Sequence, residues 1–193
     1  MFKKCSGRGT EMFIYIVKQL AVMSAVLLIY LPVRRPWRDQ SARAWVEGVF
    51  VAFMAGLLAL ALQGRYLAPA AMARYAAGRL ESGEGINLVP FRSISGFFRH
   101  FSLHIFLVNI LGNIGMFMPW GFGLPLLWKK KQTILSVARH SVALPVFIET
   151  IQLFIGRSVD VDDLILNFVG SCLGALLYLA VRGLVPGVAG LAR

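Results

Sequence analysis

Residues 149–167 read ETIQLFIGRSVDVDDLILN, which puts Glu149, Gln152, Arg157, Asp160, Asp162, Asp163 and Asn167 into one short stretch of a chain that is 58% hydrophobic. The stretch joins two apolar runs, about 133–155 and 164–182. Each is long enough to cross a bilayer as a helix, for which roughly 20 residues are needed. On a helix, Glu149 and Gln152 share a face near the end of the first run. Asp160, Asp163 and Asn167 fall at i, i+3 and i+7 and stack on one face at the start of the second. The turn between them, IGRSVDVDD, is short enough to hold the two faces together, with Arg157 as the one cation beside them. Asp160 or Ser158 is placed to cap the second helix, and acidic residues suit its positive N-terminal end. The pattern is a helical hairpin with a polar cluster at its tip.

Three further apolar runs precede the hairpin, at about 12–31, 45–63 and 103–127. The fold class expected is therefore all-α, a polytopic membrane bundle of about five transmembrane helices. Composition agrees: mean hydropathy is +0.69, and the charged fraction of 15% lies well under the roughly 25% of soluble proteins. The first run follows Lys3, Lys4 and Arg8 but is too long for a signal-peptide core. Pro32-Val33-Arg34-Arg35 follows it in place of a small-residue cleavage site, so it reads as a retained span. Lys18 within it can snorkel. In the second run Ala52 and Gly56, and Ala55 and Ala59, are spaced for close helix packing, as are Gly170 and Gly174 in the fifth. Pro119, Gly121, Gly123 and Pro125 predict a tilt or a kink near 119 in the third.

The connection from Gly64 to Ser102 is far longer than the others, and long loops of small membrane proteins are often functional or lie on the bilayer surface. Its first half, ARYAAGRLESGEG, reads as a short helix. Its second half, INLVPFRSISGFF, reads as an extended, proline-directed segment leading into an interfacial amphipathic stretch. The expected organisation is a two-helix region over 1–64, a main domain over 65–185 and a tail over 186–193.

The formal net charge is +11, but Lys and Arg lie in short clusters between apolar runs with no basic helix face, which points to lipid headgroups and away from nucleic acid. One side of the membrane would hold the N-terminal tail and the 64–102 and 156–163 loops. The other would hold Arg34, Arg35, Arg38 and Arg43, the Lys129–Lys131 run, Arg139 and Arg182. The second set is concentrated in short loops abutting the spans, RRPWR and WKKKQ, where positive residues favour the cytoplasm. The polar hairpin tip is thus expected to face outward and the C-terminus inward. Trp37, Trp45, Trp120 and Trp128 are expected as interfacial anchors. Cys5 lies in the N-terminal tail and Cys172 inside an apolar run, so no disulfide is expected.

A carboxylate such as Glu149 at or within a bilayer is costly unless it is paired, protonated or facing a polar cavity. Arg157 and Arg92 are its candidate partners. Asn109 and Asn113 share a face of the third span, where Gly112 and Gly115 let a neighbour approach. If that face meets the hairpin, Asn109, Asn113, Glu149, Gln152, Asp163 and Asn167 line one polar cavity. The same residues also suit a purely structural network of interhelical hydrogen bonds. His100 and His104, four apart, have metal-holding spacing but no third ligand, and DVDD lacks the spacing of an EF-hand loop, so neither metal nor cofactor is expected. No phosphate loop, G-x-S-x-G or H-E-x-x-H occurs.

INLVPFRSI, NILGNIGMFMPWGFGLPLL and ETIQLFIGRSVDVDDLILNFVGSCLG together resemble, in order and spacing, the VanZ-like family of small bacterial membrane proteins. The resemblance covers roughly residues 86–180. It implies functional positions at Asn87, Pro90 and Phe91, at Asn109, Asn113 and Pro119, and at Glu149, Gln152, Gly156, Arg157, Asp160, Asp163, Asn167 and Gly170. It implies a bacterial cytoplasmic membrane location and, from the family's namesake, an association with low-level resistance to the glycopeptide teicoplanin. The favoured expectation is a non-enzymatic binder of an envelope lipid headgroup or an amphiphilic antibiotic, with membrane lipids, a lipid-linked cell-wall precursor or a lipoglycopeptide as partner. Arg92 and Arg157 would meet phosphate or carboxylate on the ligand. The alternative is an intramembrane enzyme in which Glu149 or Asp163 acts as general acid or base. A small transporter ranks last, since five spans without repeats are few for alternating access; a homo-oligomer is compatible with all three.

Overall fold

The computed structural model describes residues 3–39, 42–64, 68–99, 103 and 106–192. It divides into two compact units, Met1–Ala61 and Leu62–Arg193. The first unit is an antiparallel helical hairpin of α1 (Lys3–Arg34) and α3 (Ala42–Ala61), joined through the single turn α2 (Pro36–Asp39). Ala44, Gly48, Ala52 and Gly56 recur every fourth residue and form the buried stripe of α3. Gly48 lies under the ring of Tyr30 and Gly56 under Met23, so the apolar side chains of α1 fill the space that missing Cβ atoms leave. At the loop end Glu47 takes an ion pair from Arg43 at 2.7 Å and a longer one from Arg34 at 3.7 Å.

In the second unit, α4 (Pro69–Ser82) is followed by the two-residue strand β1 (Ile86–Asn87) and by the short helix α5 (Arg92–Arg99). Proline opens α4 and Gly83, at φ 70°, closes it with its N–H on the Arg79 carbonyl. The long connection between spans is therefore ordered over its described residues, as a helix, an extended segment and an amphipathic helix. A π-helical turn, Phe106–Leu111, then runs into α6 (Gly112–Leu127). Pro119 and Pro125 lie inside α6, which continues through both. The departure from α geometry comes earlier, at the turn that carries Asn109. The tight turn Lys129–Lys131 leads to α7 (Ile134–Phe154), capped by the Thr133 side chain. Strand β2 (Val159–Asp160) then pairs in parallel with β1 and leads directly into α8 (Val161–Leu184).

Helices α6 and α8 run parallel, and their backbones touch. Gly121 meets the Ser171 carbonyl, Gly170 meets that of Ile114, and Gly174 meets that of Met118. The Gly170-x-x-x-Gly174 pattern is thus a true close-approach seam, in which dispersion between backbones replaces side-chain packing. Phe117, Leu124, Leu127, Leu166 and Tyr178 are buried beside it. The Tyr178 hydroxyl accepts from Gln132 Nε2 at 2.9 Å, which ties the start of α7 to the end of α8.

Among the described residues, four stretches are long and apolar enough to cross a membrane: Ile16–Arg34, Ala42–Ala61, Phe106–Leu127 and Val161–Leu184. Helix α7, expected as a fifth span, has 21 residues. Ser136, Arg139, His140, Ser141, Glu149 and Gln152 interrupt its apolar sequence. Ser141, Glu149 and Gln152 are buried. The protein is an all-α membrane protein.

Candidate functional site

The sequence VDVDD builds the site around the start of α8. Asp160 is the N-cap, its Oδ1 accepting from the Asp162 N–H at 2.9 Å. The same oxygen accepts from Asn87 Nδ2 at 2.8 Å, and Oδ2 accepts from the Ser93 hydroxyl. Asn87 and Asp160 are also register partners in the strand pair. The turn into β2 is set by Gly156, at φ 79°, with the Arg157 N–H returning to the Gln152 carbonyl at 3.0 Å. This is a glycine-closed helix end, in a conformation that disfavours side chains.

Asp162 turns away from that face. It is 1% exposed, and its carboxylate accepts from the backbone N–H groups of Phe91, of Ser93 at 2.7 Å and of Ile94 at 3.0 Å. Those are the unpaired donors at the N-terminus of α5, so one buried charge both satisfies them and complements the helix dipole. Phe91 sits at φ 64°, a left-handed conformation unusual for a phenylalanine, at the residue where its N–H meets Asp162.

Arg79 does the corresponding work on the other side. It is 5% exposed and donates to the carbonyls of Glu84 at 3.1 Å, Gly85, Leu153 at 3.3 Å and Arg157. Its charge lies against the carbonyl-rich end of α7, which favours a cation. Gly85, at φ 66°, leaves the space that the guanidinium occupies.

On this frame the remaining carboxylates converge. Glu149 Oε2 accepts from the Asp160 N–H at 3.2 Å, and Asp163 Oδ1 accepts from Asn113 Nδ2 at 2.7 Å, which links α6 to α8. Glu149, Asp160, Asp163 and Arg157 are within electrostatic reach of one another. Gln152, about one turn nearer the hairpin tip on α7, and Asn167, one turn deeper on α8, are also buried. Around the rim Pro90, Phe91, Arg92 and Arg157 are exposed, with Leu88, Val89 and Phe98. The structure therefore brings Asn87, Asn113, Glu149, Arg157, Asp160 and Asp163 together. Pro90, Phe91 and Arg92 lie on the rim, and Asn109 is half-buried in the π-helical turn.

The family model for VanZ/LLP1 matches residues 50–182. The chain belongs to the VanZ/LLP1 family. The match runs from within α3 to near the end of α8, wider than the three motifs that carry the resemblance in sequence. No curated protein and no solved structure matches the chain.

Two residues that hold this VanZ/LLP1 site were not picked out as site residues from sequence, Asp162 and Arg79. Helical spacing groups Asp160, Asp163 and Asn167, which leaves Asp162 about 100° off that face and so aimed at another element. Arg79 is one of two arginines in α4, with Arg74, and no local signal distinguishes it. Among the described residues no group of three or more His, Cys, Asp or Glu is arranged to hold a metal. His100 and His104 lie outside the described residues.

Proposed function

We propose that this VanZ/LLP1 protein is a non-enzymatic binder of the anionic headgroup of an envelope amphiphile, a lipid-linked precursor or an amphiphilic antibiotic, at the outer face of the bacterial cytoplasmic membrane. The observation that carries the reading is the rim. Exposed Arg92 and Arg157 stand among exposed Leu88, Val89, Phe91 and Phe98, on a frame fixed by Asp162 and Arg79. Cations beside exposed apolar groups are the chemistry of a headgroup above its acyl chains. Guanidinium groups suit phosphate and carboxylate.

Sidedness follows from charge. Within the second unit, Asp160 and Asp163 mark one end of α8 and Arg182 the other, about 28 Å from Asp163 at 1.5 Å per residue. Lys129–Lys131 and Arg139, at the far ends of α6 and α7 from Asn113 and Glu149, share the Arg182 end. Short basic loops favour the cytoplasm, so the acidic end faces outward.

An intramembrane enzyme is the second reading, favoured by the approach of Glu149 to Asp163, a pair of carboxylates that could divide acid and base roles. Asp160 and Asp162 are engaged by hydrogen bonds within the chain. The test is teicoplanin susceptibility and labelled-antibiotic binding in a Gram-positive host at matched membrane levels of wild type and the Arg92→Gln, Arg157→Gln pair. Protection lost in the double variant supports headgroup binding. Protection that survives it, but is lost in Glu149→Gln with turnover of a headgroup by purified protein, supports the enzyme.

A further inference from the structure

The headgroup reading leaves three acceptor atoms at the polar end of the second unit without a donor among the described residues. Glu149 uses Oε2 for the Asp160 N–H and Asp163 uses Oδ1 for Asn113, so Glu149 Oε1 and Asp163 Oδ2 are unengaged. The third is Asn167 Oδ1, on a side chain that is 5% exposed, with no hydrogen-bond partner. Asn167 lies one turn beyond Asp163 on the face of α8 that meets α6, between the Asp163 contact with Asn113 and the Gly170 contact with Ile114. It is therefore aimed into the same interhelical space as the two carboxylates.

Buried acceptors are almost always paired, so an unpaired one marks a place that a donor fills. Two carboxylate oxygens and an amide oxygen offer acceptors only, with negative charge. Their complement is a cation with several N–H groups. A primary ammonium has three donors, no acceptor and a single charge. A quaternary ammonium has no N–H and leaves Asn167 unpaired. Arg157 is within electrostatic reach of Glu149 and Asp163, and Arg92 opens α5, whose start Asp162 caps, so both are candidates for a phosphate attached to that amine.

We propose that Glu149, Asp163 and Asn167 form an ammonium site, and that the ligand class is an aminoalkyl phosphate headgroup whose phosphate meets Arg92 and Arg157. This rests on the headgroup reading above and narrows it.

The experiment is a lipid titration of the purified full-length protein, followed by native mass spectrometry. The probes are phosphatidylethanolamine, phosphatidylcholine and phosphatidylglycerol of identical chains. Wild type is expected to bind phosphatidylethanolamine about tenfold more tightly than phosphatidylcholine, as for the loss of charge-assisted hydrogen bonds. Asn167→Leu and Glu149→Gln should erase that preference and leave phosphatidylglycerol binding unchanged. Arg92→Gln with Arg157→Gln should weaken all three lipids. Competition by soluble phosphoethanolamine at matching affinity would assign a free headgroup as the source, with the same amine chemistry. Equal binding of phosphatidylethanolamine and phosphatidylcholine by wild type overturns the ammonium site. If the arginine pair still matters in that case, the headgroup reading stands without it. Lipid binding indifferent to the arginine pair overturns the headgroup reading and this site with it. The wild-type comparison needs no variant, so a misfolded mutant cannot obscure the answer.

Discussion

The Asp162 carboxylate holds the backbone N–H of Phe91, a residue 71 positions earlier, and through Ser93 and Ile94 it caps the whole start of α5. The loop that carries Pro90, Phe91 and Arg92 is thus positioned by the first turn of α8. The rim and the buried cluster are one mechanical object.

That relationship predicts a large stability effect at Asp162. Asp162→Ala leaves three N–H groups at the part-buried start of α5 without an acceptor, and hydrogen bonds to charged groups are worth about 1.5–3 kcal/mol each. A loss of at least about 3 kcal/mol is expected, read as a large fall in thermal midpoint in detergent. Asp162→Asn keeps an acceptor and should fall between. A midpoint for Asp162→Ala within a degree of wild type would show that α5 does not depend on this carboxylate.

Arg79 offers a separate test of the same frame. Lysine keeps the charge but cannot fork to four carbonyls, so Arg79→Lys is expected to loosen the strand pair and leave the charge balance alone. Hydrogen exchange should quicken at Val159, whose N–H bonds the Gly85 carbonyl at 2.9 Å, and at Ile86. Exchange there as slow as in wild type would place the stabilisation of β1 and β2 elsewhere.

How much of this was legible in the sequence depends on how far each contact reaches. Helical spacing gathered Glu149, Gln152, Asp160, Asp163 and Asn167, because three- and four-residue periods are local geometry. The glycine seam was legible for the same reason, from Gly170 and Gly174. Asp162 and Arg79 were not, since the partners of Asp162 lie 68–71 positions away, Arg79 reaches 74 and 78 positions to Leu153 and Arg157 besides nearby Glu84 and Gly85, and backbone amides and carbonyls carry no residue-type signal. The π-helical turn at Phe106–Leu111 was missed because FLVNIL is ordinary apolar sequence, while the visible prolines drew attention downstream. Helix α7 was long enough to read as a span, and the structure buries three of its polar residues, Ser141, Glu149 and Gln152.

Across the α6–α8 interface, Asn113 and Asp163 provide a pair for a double-mutant cycle. Interhelical polar contacts in membrane proteins average about 0.6 kcal/mol, with a maximum near 1.7. The carboxylate should put this pair toward the upper end of that range. Asn113→Ala, Asp163→Ala and the double variant, measured by reversible unfolding in detergent, should give a coupling of about 1 kcal/mol. A coupling indistinguishable from zero would mean that the 2.7 Å contact contributes nothing net.

The glycine seam makes the sharpest contrast. A methyl group at Gly170 collides with the Ile114 carbonyl and one at Gly174 with that of Met118, both backbone atoms that cannot rotate away. Gly170→Ala and Gly174→Ala should therefore force α6 and α8 apart and cost about 1–3 kcal/mol, the range for overpacking. Gly183, on the same helix, has nothing within 4 Å of an added Cβ. Gly183→Ala should be neutral or stabilise by up to about 1 kcal/mol, because alanine is the better helix former. Because Asp163, Asn167 and Gly170 share one face of α8, separation at Gly170 should also pull Asp163 from Asn113. Gly170→Ala and Asn113→Ala are then expected to be less than additive, and strict additivity would show that the seam and the polar cluster are energetically independent.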